Sequence, residues 1–213
     1  MARALARRLG IPYIDTGAMY RAIGLAAYRR GVGLPIADSE EVAAIAANSL
    51  VELAPPDGAS GAAGAAARVL LDGEDVSEEI RRPEISRYAS AVSAIPAVRR
   101  VLVSQQQRLG REGGGVLEGR DIGTKVFPET PFKFFLTADP VVRAIRRTRE
   151  LAERGTPQAF ERVLEEMRQR DADDGSRADS PLTLDERYVL VDTSAKPVEG
   201  VVAEIEEAVR RAI

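Results

Sequence analysis

The 213-residue chain contains no cysteine and no histidine. Disulfides and cysteine-ligated zinc are thereby excluded. So are thiol nucleophiles, phosphohistidine intermediates and histidine general bases. Any catalysis must rest on Asp, Glu, Lys, Arg, Ser, Thr, Tyr, backbone groups or a metal. Phosphoryl transfer is compatible with that limit, because it needs positioning and charge neutralisation more than covalent chemistry. No apolar run approaches the ~20 residues of a bilayer span. The Arg-rich N-terminus also lacks the apolar core of a secretion signal. These absences predict a cytoplasmic protein without a membrane partner. The net charge of -3 gives no reason to expect nucleic acid as the main ligand.

What remains is the balance of a globular protein, 45% hydrophobic and 30% charged. The length suits one domain with room for a small insert. Residues 2–9 predict a helix, stopped by Gly10 in the C′ role of glycine. Residues 11–14 predict a short buried strand, 18–30 a helix and 39–49 another. The Ala/Gly/Pro-rich stretch 54–66 predicts a loop, flanked by two hairpin strands at 51–53 and 68–71. Pro83 opens a helix, and 96–111 is a longer one ended by three glycines. Strands follow at 116–118 and 132–136. Asp139 caps a helix running to about 154, with Pro140 at its first position. A helix at 157–172, a strand at 188–191 and a helix at 197–212 complete the chain. Strands alternating with helices predict an α/β fold, a parallel sheet covered by helices on both faces.

Ligands of such sheets sit at the carboxyl ends of strands. Three strand ends run into polar turns here: Asp15-Thr16-Gly17, Gly119-Arg120-Asp121 and Asp192-Thr193-Ser194. At the first, free N–H groups of a helix N-terminus favour an anion; Thr16 is positioned to cap the helix, and Arg21 lies one turn inside. On spacing alone this is equally an ordinary cap beside a surface arginine. At the second, Arg120 offers a planar fork for phosphate or a base edge, and Asp121 an acceptor for an amino group; a turn with an incidental ion pair is the plainer alternative. A third group, Arg170, Asp174 and Arg177, falls on one helix face and suits a phosphate clamp or a solvated ion-pair ladder. Among Arg143, Arg146, Arg147 and Arg149, two could reach a donor phosphate, although a solvated face is the simpler reading. Ser90 and Arg99, flanking Ile95-Pro96, carry no signal by themselves.

Taken together, IDTGAMYRAIGLAAYRRGV, LLDGEDVSEEIRRPEISRYASAVSAIPAVRRVL, LEGRDIGTKVFPETPFKFFLTADPVVRAIRR and RQRDADDGSRADSPL resemble, in order and spacing, the bacterial cytidylate kinase family. The resemblance implies a nucleoside monophosphate kinase on the P-loop NTPase fold. Its core would be 1–49 and 83–213, with an acceptor-side insert at 50–82. It implies transfer of the ATP γ-phosphate to CMP or dCMP with Mg²⁺, giving CDP or dCDP and ADP, by a monomer acting on small molecules. Residue by residue, Ser90, Arg99 and Asp121 resemble the groups that read cytosine. Thr16 resembles a hydroxyl near the nucleotide, and Asp174 the residue that holds the ribose. Arg21, Arg120, Arg170 and Arg177 resemble the arginines around the acceptor phosphate and the transferring group, with Arg120, Arg170 and Arg177 in the catalytic role. Arg143 and Arg147 are the candidates for ATP; no side chain stands out as a metal ligand. A non-catalytic CMP-binding relic, or a kinase for another nucleoside monophosphate, are the alternatives.

The departure is at the start. Nothing in the chain matches G-x-x-x-x-G-K-[ST], the Walker A loop with which the family opens. The expectation is that a central first strand and this loop are missing ahead of Met1. The 213 residues as written would then lack kinase activity and show unpaired strand edges.

Overall fold

The computed structural model describes residues 1–54, 67–176 and 182–211. Helix α1 (Ala2–Leu9) ends as expected at Gly10, whose φ of 70° only glycine adopts without strain and whose N–H closes on the carbonyls of Ala6 and Arg7. Strand β1 (Tyr13–Asp15) sits slightly later than the apolar pattern suggests. It pairs in parallel with β5 (Val116–Glu118), Asp15 lying opposite Glu118. Helix α2 (Thr16–Arg29) follows β1 without a loop. It is apolar on nearly every side, so it is a core helix rather than a surface one, and Met19, Ile23 and Leu25 are fully buried.

Helix α3 (Ser39–Ala47) is capped by the Asp38 carboxylate, which accepts from the N–H groups of Glu40 and Glu41. Helices α4 (Pro83–Ser93) and α5 (Pro96–Gly113) each open on a proline and meet at Ala94-Ile95. Helix α4 packs tightly on α2. A Cβ at Gly24 would come within 2.9 Å of the Ala89 backbone nitrogen, so only glycine lets the two backbones approach this closely.

The segment expected to be an insert forms the expected hairpin. Strand β2 (Val51–Ala54) is antiparallel to β3 (Arg68–Leu71), and a short β4 (Glu74–Asp75) extends it. Most of the expected loop between β2 and β3, residues 55–66, lies outside the described residues. Arg29 at the end of α2 holds the insert by a bidentate pair with Glu74, at 2.7 and 2.8 Å, and by a further bond to Glu79. The Arg29 hydrogen bonds hold the Glu74 carboxyl below the usual carboxylate range. A depressed carboxyl contributes above its unfolded pKa, and the contribution fades as pH falls through the folded value. Arg29→Ala is therefore expected to speed amide exchange in β3 and β4 at neutral pH, while at strongly acidic pH the variant and the parent exchange alike. Equal exchange at neutral pH would mean that the clamp holds nothing.

The chain divides into two units, Met1–Pro128 and Glu129–Ile213. In the second, β6 (Phe134–Thr137) pairs in parallel with β7 (Val189–Asp192). Helix α6 (Pro140–Glu153) starts where expected, with the Asp139 carboxylate accepting from Val141 and Val142 N–H. Helices α7 (Phe160–Ser176) and α8 (Val198–Arg211) follow. Ala144, Leu151 and Val163 form a small core between α6 and α7. The fold is thus α/β, with parallel strand pairs and helices. Among the described residues β5 pairs with β1 alone and β6 with β7 alone, and no helix is long and apolar enough to cross a membrane.

Candidate functional site

The first strand end differs from expectation in its cap. Thr16 is already the first helical residue, so its side chain points away from the free N–H groups it was expected to serve. Asp15, still extended, is the cap instead: Oδ1 accepts from Ala18 N–H at 2.9 Å. Its Oδ2 accepts from Arg21 Nη2, also at 2.9 Å, which aims the guanidinium back toward the strand end. Thr16 is buried and donates through Oγ to the Glu118 carbonyl at 2.7 Å, tying β1 to β5. Gly119 makes this possible, since a Cβ there would lie 2.5 Å from that Oγ. Tyr13 donates to Glu118 at 2.8 Å. Burial, then the Asp15 and Glu118 carboxylates, push its phenol pKa up, so it remains a donor.

At the second strand end two of the three residues matched to cytosine reading, Arg99 and Asp121, are brought together. Arg99, on α5, forms an ion pair through Nη2 with Asp121 Oδ2, and both side chains are almost wholly buried. Arg99 Nη1 donates to the Ser93 carbonyl at 3.1 Å. Ser93 Oγ in turn donates to the Ser90 carbonyl at 2.8 Å, so Ser90 joins the group through the α4–α5 joint. The Tyr20 ring lies against the Arg99 guanidinium, 5.6 Å from its centroid. The backbone after Asp121 winds into a wide single turn over Ile122–Val126, with Lys125 N–H bonding the Asp121 carbonyl at 2.8 Å. That turn holds Asp121 inward and leaves Arg120 exposed beside it. Sequence reading missed Asp15, Tyr20 and Ser93. The motif DTGAMYR contains the first two, but nothing in its spacing says that they serve Arg21 and Arg99.

In the second unit Asp174 is 1% exposed on α7, and Arg170 is exposed one turn earlier. Arg177 lies outside the described residues. Arg143 donates to Asp171 at 2.7 Å and to the Ala138 carbonyl at 3.2 Å. Arg147 bonds Glu150 at 2.9 Å. Arg146, not Arg143 or Arg147, grips the third strand end, donating to Thr193 Oγ1 at 3.2 Å and to the Thr193 carbonyl at 2.6 Å. Ser194 Oγ accepts there from Asp139 N–H at 2.9 Å.

The cytidylate kinase family model matches residues 1–211. A cytidylate kinase of Caldanaerobacter subterraneus subsp. tengcongensis is 47% identical over 211 residues, covering 99% of this chain and 88% of that protein. One from Pelotomaculum thermopropionicum is 46% identical over 202 residues, 95% of this chain and 86% of that protein. A bifunctional pantoate ligase/cytidylate kinase of a Synechococcus species is 43% identical over 193 residues, 91% of this chain but 35% of that protein. With both strand ends of the first unit built from the family's motifs, the chain belongs to the cytidylate kinase family.

Proposed function

We propose that the chain transfers the γ-phosphate of ATP to CMP or dCMP, giving CDP or dCDP and ADP, as a monomer in the cytoplasm. The observation that carries this reading is the buried Arg99–Asp121 pair at the end of β5. A charge pair taken out of water is costly unless further hydrogen bonds complete it. Arg99 Nε is buried without a hydrogen-bond partner among the described residues, so the group still has a donor to offer. Cytosine presents an amino donor and the O2 and N3 acceptors. Asp121 would accept from the amino group, while Arg99 and Ser90 would face the acceptors. Uracil reverses the polarity at two of these positions and leaves buried groups unpaired.

Thr16 is assigned a place near the nucleotide, and Asp174 is assigned to the ribose. Arg21 is assigned to the acceptor phosphate. Arg120, Arg170 and Arg177 are assigned to the transferring phosphoryl oxygens. The transition state spreads charge over three oxygens, for which planar guanidinium forks are suited. Arg143 and Arg147 are the candidates for ATP. Mg²⁺ is ordinarily held by one or two carboxylates together with substrate phosphates rather than by a protein cage. The described residues contain no cluster of three acidic side chains that would make such a cage. An ion carried on the triphosphate would neutralise phosphate charge.

Acceptor binding is the direct test of the base reading. Calorimetry is expected to show CMP and dCMP binding at least about tenfold tighter than UMP or AMP, the weight of one misplaced hydrogen bond. Equal affinities for CMP and UMP would overturn the reading.

A further inference from the structure

The local hydrogen bonds of the wide turn Ile122–Val126 do not by themselves choose its shape. Four donors reach the Asp121 carbonyl: Lys125 N–H at 2.8 Å, Thr124 and Val126 N–H at 3.3 Å each, and the Thr124 hydroxyl at 3.3 Å. A carbonyl oxygen has two lone pairs, so it cannot serve all four well. The three N–H groups correspond to a tight, an α-helical and a wide winding of the same residues. The wide one is completed by Phe127 N–H on the Ile122 carbonyl at 2.7 Å. Windings of this kind are rare and need support from outside.

Helix α5 supplies that support at three points. At the entry Arg99 pairs with Asp121. At the exit Gln107 Nε2 donates to the Val126 carbonyl at 3.0 Å. One turn further along α5, Gly110 makes room for Phe127, since a Cβ there would lie 2.6 Å from the ring atoms Cε2 and Cζ. Val126 is buried, and a carbonyl away from water is costly to leave unpaired. The two polar grips act on different groups. Arg99 pins the Asp121 side chain whatever the exit of the turn does. Gln107 fixes the far end of the winding, and with it the peptide behind Asp121 on which the turn N–H groups close. If that end is released, the backbone at 120–121 can swing about the pinned Asp121 side chain. Arg120, exposed and directly before Asp121, is carried with it.

We infer that Gln107 is a positioning residue for phosphoryl transfer: it holds the wide turn in the winding that presents Arg120, while base reading is held separately by Arg99. The inference rests on the proposed function for the role of Arg120, but not for the hold on the turn.

The test uses Gln107→Met, which keeps length and helix preference and removes the donor, and Gln107→Arg, which keeps a donor. Turnover with CMP and ATP should fall about fivefold in Gln107→Met, the weight of one hydrogen bond. The affinity for CMP and the preference for CMP over UMP should stay within about twofold of the parent. Gln107→Arg should turn over within about twofold of the parent. In an Arg120→Ala background, Gln107→Met should cost less than about twofold more, because the residue through which it acts is gone. Hydrogen exchange of the 122–127 amides should quicken in Gln107→Met and not in Gln107→Arg. Melting temperatures check folding, and Gln107→Ala stands in if the methionine variant does not fold. Parental turnover in Gln107→Met, an equal loss of CMP affinity, or a full further loss in the Arg120→Ala background overturns the inference. A parent that does not phosphorylate CMP sinks the kinase reading instead. Exchange then decides the hold on the turn: unchanged in Gln107→Met it overturns the inference, and quickened it upholds it.

Discussion

Asp121→Ala is expected to cost about 3–5 kcal/mol of stability, because it strands a buried charge. For a chain of this length that is a fall in melting temperature of roughly 6–20 °C. In the parent, the Arg99 guanidinium is held by the Asp121 carboxylate, the Ser93 carbonyl and the face of Tyr20. Removing the carboxylate leaves a cation that is 3% exposed with one carbonyl and one ring. The double variant Arg99→Met, Asp121→Leu removes both charges and should regain most of the loss, since apolar groups of similar volume often replace a buried pair at little cost. It should not regain CMP binding, because its side chains offer cytosine neither donor nor acceptor. Chemical denaturation and calorimetry on the three proteins separate the two effects. A single variant within about 1 kcal/mol of the parent would show that the pair is not structural. A double variant that binds CMP normally would show that it is not the base reader.

Gly24→Val is expected to be the second most damaging change. The new Cβ would lie 2.9 Å from the Ala89 nitrogen and 3.1 Å from the Tyr88 carbonyl carbon, both backbone atoms that cannot rotate aside. Helices α2 and α4 would have to separate, at about 1–3 kcal/mol or somewhat more for the branched side chain. Gly24→Ala carries the same Cβ clash, but alanine's helix preference offsets it by up to about 1 kcal/mol. The change would also be felt at the site. Tyr88 donates to the Val32 carbonyl at 2.6 Å, and Ser90 lies one residue beyond Ala89, so a shifted α4 moves the base-reading group. Gly200, on α8, is the contrast. A Cβ there meets only ordinary contacts, the nearest at 3.6 Å, so Gly200→Ala should raise stability by up to about 1 kcal/mol through helix propensity. Opposite signs for Gly24→Ala and Gly200→Ala in a melting series would confirm close helix approach as the cause. Equal effects would refute it.

Element identities were legible wherever a local device declares itself. Gly10, Pro83, Pro96 and the Asp139-Pro140 pair mark helix ends at which the structure indeed starts or stops a helix. The hairpin strands expected at 51–53 and 68–71, on either side of a Gly/Ala-rich stretch, form at 51–54 and 68–71. The wide turn at Ile122–Val126 was not, because no residue pattern distinguishes it from a loop; it forms where the Lys125 and Val126 N–H groups both reach the Asp121 carbonyl. The cap at α2 was misjudged by one residue, since Asp and Thr are both good caps and only the pairing of β1 with β5 decides which of them is still extended.

By itself, the sequence determined the chemistry available and the family. The lack of histidine and cysteine removes whole classes of mechanism, and the motif runs place the candidate residues. It also led to the expectation that strand ends carry the site, which follows from alternating strands and helices. Tertiary structure alone decided which charges neutralise one another. Arg99 and Asp121 are 22 residues apart and Arg21 turns back on Asp15; Arg29 reaches Glu74 only because the hairpin folds against α2. Charge is read from a sequence one residue at a time. Its energy depends on distance and burial, and both are set by contacts between segments far apart in the chain.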